Sequence, residues 1–339
     1  MGHWRMARRL LTVPALAVAW VVCLLVLPVA AAAGAVVLDL ARRASGWPTL
    51  RLVAFVAAYL TYEVLGVAGA AWLWCTRPLR PTHWEAANRR LQLWWTAGLV
   101  RAAGPVLGLR LEVEHQGEAS AGPLVVASRH VSIVDSLLPA KVLGVDAGMR
   151  LRYVLTSGLR LDPCLDIVGH RLPNHFVDRG TGDTAGEVAA LEALADGVVA
   201  GDAVVIFPEG GLFSAARRDR AEARLEERRS PRVEVARSLR RLLPPRPAGT
   251  LALLRAAPDA DVVVFAHHGF EPLASLPGLW RALPLVDPVR MLVAHHRRCD
   301  LPADEEGQVA WLDEQWLAMD RWLVDQGEHS ASSRRPARL

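Results

Sequence analysis

The hydrophobic rhythm of the chain changes near residue 108. Before that point apolar residues form long unbroken runs. After it they form short runs set between stretches marked by glycine, proline and charge. Leu10 to Leu38 carries no charged side chain. At about 1.5 Å per residue a helix of that length crosses a hydrocarbon layer of about 30 Å. Leu52 to Thr76 is again apolar, interrupted only by Glu63. The two runs predict a membrane anchor of two helices, a transmembrane hairpin over residues 1–80. The Ala30–Ala33 run could mimic the processing site of a cleaved signal peptide, but the first run exceeds a usual signal core and a second one follows. A carboxyl in mid-membrane is costly, so Glu63 is expected to be protonated, packed against the first helix, or a mark of shallow insertion. Gly34, Gly66 and Gly69 would allow close helix approach.

Trp84 to Val106 has an amphipathic pattern, with Leu91, Trp94, Trp95, Leu99 and Val100 set against Arg89, Arg90 and Arg101. It suits a helix at the membrane interface, residues 81–107, or equally a helix packing its tryptophan face on the domain. From 108 to 325 the period shifts. Leu109–His115 alternates as a strand, and Leu124–Ala127 is a short β-branched run after Gly122-Pro123. Ser136–Val142 reads as helix, Leu151–Leu155 as strand, and Ile167–Val177 contains a further short strand. Thr184–Ala195 is a helix, and Ala203–Phe207 a buried strand. A helix starts at Thr250, and Val262–Ala266 is the last clear core strand. Strands alternating with helices predict an α/β domain: a mixed, largely parallel sheet flanked by helices. The arginine- and glutamate-rich stretch from Ala215 to Arg241 reads as a solvated helix or loop, or as a basic wall over the site. Trp311, Trp316, Met319 and Trp322 mark an amphipathic C-terminal helix, and residues 326–339 read as a disordered polar tail.

Composition sharpens this picture. Hydrophobic residues make up 52% of the 339, above the usual soluble range, and the excess lies at the N-terminus. The net charge of +4 rests on arginine, with Lys141 the single lysine. That balance suits an anionic membrane face or phosphate-bearing substrates. No basic-aromatic module points to nucleic acid. Four scattered cysteines suggest neither a zinc site nor a disulfide framework. Arg5, Arg8 and Arg9 on one flank of the hairpin and Arg77, Arg80, Arg89 and Arg90 on the other outnumber Arg42, Arg43 and Arg51 between the runs. This favours an integral cell-membrane protein with both ends, and the catalytic domain, in the cytoplasm.

The candidate chemistry begins where the Leu124–Ala127 run ends. His130 and Asp135 fall near one face if the intervening residues turn helical, and a carboxylate that holds an imidazole makes a general base. Three further stretches follow: His175-Phe176-Val177-Asp178-Arg179, Phe207-Pro208-Glu209-Gly210, and Pro245-Arg246 with Gly249. Each alone is consistent with ordinary turns and ion pairs.

In this order the motifs resemble the glycerolipid acyltransferase family, the lysophosphatidic acid acyltransferases and their relatives. His130 and Asp135 match its first motif, and Ser132 stands where the family has serine. Phe176–Arg179 match the second, Phe207–Gly210 the third, and the strand Val262–Ala266 the fourth. The resemblance covers roughly Leu109 to Glu271, and the anchor with Arg246 looks like the membrane-bound branch. It implies catalysis by His130 and Asp135, and substrate binding by Ser132, Phe176, Arg179, Glu209, Gly210 and Arg246. The implied partners are the lipid bilayer, a lysophospholipid acceptor, and acyl-CoA or acyl carrier protein as thioester co-substrate, with no metal or prosthetic group. A thioesterase on the same scaffold and a non-enzymatic lipid-binding protein are the competing readings. The chain departs from the family at several places: Arg129 replaces an asparagine, Pro173 a glycine, and Gly211-Leu212 the usual Thr-Arg. The fourth motif lacks its proline and is followed by His267-His268.

Overall fold

A run of residues buried on both faces makes the natural centre of a parallel sheet, and Leu124–Ser128 and Asp202–Ile206 are such runs, buried at every position. The computed structural model describes residues 2–23, 28–79, 81–178 and 184–333. In chain order the elements are α1 (Gly2–Val21), α2 (Pro28–Ala41), α3 (Pro48–Thr76), α4 (Trp84–Leu107), β1 (Leu111–Gln116), β2 (Leu124–Ser128) and α5 (Leu137–Pro139). A π-helical stretch, Ala140–Asp146, continues α5. Then come β3 (Arg150–Thr156), α6 (Pro163–Gly169), β4 (His175–Val177), α7 (Thr184–Ala195), β5 (Asp202–Ile206), α8 (Ala215–Glu227), α9 (Val233–Ser238) and α10 (Pro247–Ala256). The chain closes with β6 (Asp261–His268), α11 (Leu276–Ala282), β7 (Val289–His296) and α12 (Glu305–Ser333).

The seven strands form one sheet in the order β1-β7-β6-β2-β5-β3-β4. β2 pairs in parallel with β5 on one side and β6 on the other, while β7 lies antiparallel to β6 and parallel to β1. The sheet is therefore mixed and largely parallel, as predicted. β7 departs from expectation: Val262–Ala266 is not the last core strand. Val289, Met291 and Val293 are buried on one face of β7, but Arg290 and His295-His296 break the apolar run that would announce it.

One face of the sheet, through Leu124, Val126, Leu151, Tyr153, Val263 and Phe265, packs on Leu138, Val142 and Leu143. The other carries Val125, Val204 and Val262 under α7 and α10, and Ala127 and Val264 under Trp316 and Met319 of α12. Burying each such side chain contributes about 1.5–3 kcal/mol. The helix α12 runs to Ser333, beyond residue 326 where the polar composition predicts a disordered tail.

The N-terminal region differs from the predicted pair of helices. The first apolar run is described as α1 and α2, with Pro14 inside α1 and Pro28 opening α2, and residues 24–27 between them lie outside the described residues. Among the described residues α3, extended through Leu79, is the one helix long and apolar enough to cross a membrane. It does not stand apart from the domain. Gly98 of α4 lies under the Tyr62 ring of α3, and Gly66 of α3 lies against the Cys164 sulfur, so side chains of the facing elements pack directly on glycine. Glu63 is buried against the domain and not against the first helix: the Trp95 indole donates to its carboxylate at 2.8 Å and the Cys164 amide at 3.2 Å. At the start of α3, Asp39 accepts from the Thr49 and Leu50 amides, Trp280 donates to Thr49 Oγ1 at 2.8 Å, and Arg51 reaches the Val106 carbonyl at 2.7 Å. Arg8 and Arg9 of α1 both close on Asp166 of α6. The helix α4 buries Trp95, Leu99, Ala103 and Leu107 against α3 and the domain.

Candidate active site

The central strand β2 delivers the chain to the sheet edge where β5 and β6 also end, in register Ala127 with Ile206 and Ser128 with Phe265. The Arg129 amide donates to the Phe265 carbonyl at 3.0 Å, so the ladder persists one residue past the strand. The chain then turns into a 3₁₀ segment, Ile133–Ser136, whose N-cap is Ser132. Ser132 and Asp135 form a capping box: the serine oxygen accepts the Val134 amide, and the Asp135 carboxylate turns back to the Ser132 amide at 2.7 Å. That backward turn brings Asp135 Oδ2 to the Val131 amide and to within 3.3 Å of His130 Nδ1. The His-x₄-Asp spacing is therefore a capping box with a histidine two positions before its cap.

Asp135 is fully buried. Burial alone would favour the neutral acid, but the nearby His267 ring and the hydrogen bonds from His130 and the Ser132 amide outweigh it and hold the carboxyl well below its usual range. An ionised Asp135 accepts Nδ1–H of His130, which fixes the tautomer and leaves Nε2 for a substrate proton. The imidazole packs on Phe207, with ring centroids 4.5 Å apart.

The third motif works on the backbone. Glu209, read from the sequence as a substrate contact, is buried and takes the His130 amide at 2.7 Å on one oxygen and the Leu243 amide at 2.9 Å on the other. Burial pushes its carboxyl up to about 8, against the pull of those two amides. It is a brace between the base and the segment leading to Arg246. Gly210 adopts a left-handed conformation, φ +63°, which an L side chain resists; a Cβ there would also meet the Arg246 guanidinium at 3.0 Å. The exposed Arg246 thus lies across the Gly210 turn, and Arg217 beside Gly211. The Phe213 amide closes the loop on the His130 carbonyl at 2.9 Å.

The remaining predicted residues fall differently. Ser132 is buried and spends its hydroxyl on the cap and on the Leu273 carbonyl at 3.3 Å, so it shapes the turn and does not face a substrate. Phe176 is a core residue stacked on His170 at 4.5 Å. Arg179 lies outside the described residues. Sequence reasoning missed the group behind Asp135: His267 and Arg129 are both fully buried, and Arg129 donates to the His267 carbonyl and to Glu271 at 2.7 Å.

Residues 110–265 match the family model described as Acyltransferase. The chain carries an acyltransferase domain. His130, Asp135 and the Phe207–Gly210 turn all lie inside the matched region, as does Arg246, whereas His267 lies just beyond it. Among solved structures the acyltransferase is similar to the 1-acyl-sn-glycerophosphate (LPA) acyltransferase PlsC of Thermotoga maritima, with a TM-score of 0.48 and 14% identity over 85% of this chain and 100% of that one. No curated protein matches the chain.

Proposed function

We propose that the acyltransferase moves a fatty acyl group from a thioester, acyl-CoA or acyl carrier protein, to the hydroxyl of a lysophospholipid, with lysophosphatidic acid as acceptor and phosphatidic acid as product. The observation that carries this reading is the His130 imidazole held through Nδ1 on a buried, ionised Asp135. His130 Nε2 removes the acceptor hydroxyl's proton as its oxygen attacks the thioester carbonyl. The tetrahedral intermediate then expels the thiolate, which takes that proton from His130. The acceptor is itself the nucleophile, so no acyl-enzyme forms. Arg246 and Arg217, beside the turn that lacks the family's Thr-Arg, suit the acceptor's phosphate, with Arg179 as a third candidate.

The outer face of the N-terminal helices supports a lipid substrate. Leu10, Leu11, Val37, Val56, Leu65 and Trp72 expose apolar surface along α1–α3, which suits attachment to the cell membrane with the domain on its cytoplasmic side.

His130→Ala should leave membrane association intact and lower acyl transfer by about 10²–10⁴. Retained transfer in that variant sinks the mechanism. Radiolabelled acyl-CoA given with and without lysolipid separates transfer from a thioesterase, which releases fatty acid whether or not an acceptor is present.

A further inference from the structure

Two departures from the glycerolipid acyltransferase pattern, Arg129 before the catalytic histidine and His267 after β6, meet in the fold. His267 is fully buried at the end of β6, and its Nε2 lies 3.6 Å from Asp135 Oδ2, the oxygen that also faces His130 Nδ1. Both ring nitrogens of His267 and Asp135 Oδ1 lack a hydrogen-bond partner among the described residues. Buried polar groups are rarely left unpaired, and here unsatisfied ring nitrogens stand a few tenths of an ångström beyond hydrogen-bond reach of an ionised carboxylate. Phe270 closes the other side of the ring edge-on, with centroids 5.8 Å apart. Arg129 fixes the ring's backbone by donating to the His267 carbonyl, and Glu271 meets the charge of Arg129 at 2.7 Å. Glu271 also takes His268 Nδ1 at 3.4 Å, so the second histidine is turned away from Asp135.

We infer that His267 is a positioning residue for His130: it donates to the Asp135 carboxylate from behind, so that two imidazoles share one carboxylate. The inference rests on His130 acting as the base of the proposed transfer. No proton leaves His267 in the cycle. Its N–H orients the carboxylate and draws charge from it, and the remainder supports the His130 imidazolium formed during attack. The other ionisable groups around the pair are Glu209 from the loop after β5, and Arg129, His268 and Glu271 around the end of β6.

The test is the pH profile of kcat/KM for acyl transfer in three variants. His267→Phe keeps the packing on Phe270 and removes the donor. His267→Gln keeps a donor at similar reach, and His267→Asn carries an amide too short for it. With His267 gone, Asp135 gives its whole charge to His130, which favours the imidazolium. The acid limb should therefore move to higher pH by about half a unit or more in the Phe and Asn variants. In the same variants kcat should fall about tenfold with KM for the lysolipid unchanged within about twofold. The Gln variant should return both toward wild type. An acid limb that stays in place in the Phe variant overturns the inference. If that variant does not fold, an unmoved limb in the Asn variant overturns it. A Gln variant as impaired as the Phe variant, with an unmoved limb, also overturns it, because packing alone then explains the loss. Failure of the underlying function is separate: it shows as transfer that survives His130→Ala in the wild-type background.

Discussion

Asp135 Oδ2 is shared by two backbone amides and the His130 ring, and Glu209 divides its two oxygens between His130 and Leu243. His130 is thus fixed at its ring and at its backbone by two buried carboxyls of opposite tendency, one held ionised and one pushed toward the neutral form. For Glu209 the sign follows from proton counting. Its carboxyl is raised from 4.5 to about 8 in the folded chain, so between those values the folded state holds a proton that the unfolded state has released. This contribution to stability is full below about 4.5 and is lost as pH rises through about 8. Unfolding temperature should fall between pH 5.5 and 8.5 in the wild type, and by less in Glu209→Gln. Gln places an amide against one of the two N–H groups, and the variant should lose about 1–3 kcal/mol at pH 7 in thermal unfolding. The pairing of His130 with Asp135 was legible from sequence because the two are five residues apart and one turn brings them together. The pairing of Arg129 with His267 was not, since it joins positions 138 apart and the twin histidine alone does not name its partner. The roles of Ser132, Phe176 and Glu209 shifted from substrate to scaffold for a related reason: a motif shows which residues recur together, and only burial shows which way they face.

Among the elements, α3 is the one whose meaning changed most. Its apolar run and small residues were visible in the sequence, but the partner was not. Its glycines meet α4 and α6: Gly66 faces Cys164 and Gly69 faces Leu91, while Gly34 of α2 has nothing within 4 Å. A Cβ on Gly98 would fall 2.1 Å from the Tyr62 ring. Gly98→Ala should therefore destabilise the enzyme by about 1–3 kcal/mol in detergent thermal unfolding, because the Tyr62 ring must be displaced. Gly34→Ala should be neutral or slightly stabilising, since alanine is the better helix former by about 1 kcal/mol. Equal effects at the two sites would refute the close α3–α4 packing. The strand β7 was missed because Arg290 and His295-His296 interrupt the apolar run that marks a buried strand in sequence.

For the molecule as a whole, the sheet was legible because β2, β5 and β6 are apolar at nearly every position, which long-range parallel pairing requires. Helices α1–α3 add a flank that is apolar outward and fastened inward, by Arg8 and Arg9 on Asp166, by Glu63 on Trp95, and by Thr49 on Trp280. The full chain should consequently stay with membranes through high salt and alkaline carbonate washes, measured by sedimentation. Release by carbonate would show that the flank is not embedded. Fastening α3 along the domain has a consequence for how the acceptor arrives. A tethered domain would drift above the bilayer and would have to draw each lysolipid into water. With a chain of about sixteen carbons that step costs on the order of 12 kcal/mol, at about 0.8 kcal/mol per methylene. On the proposed function, a domain bolted to its own anchor would hold His130 close to the lipid, and the acceptor's tail would not have to cross water.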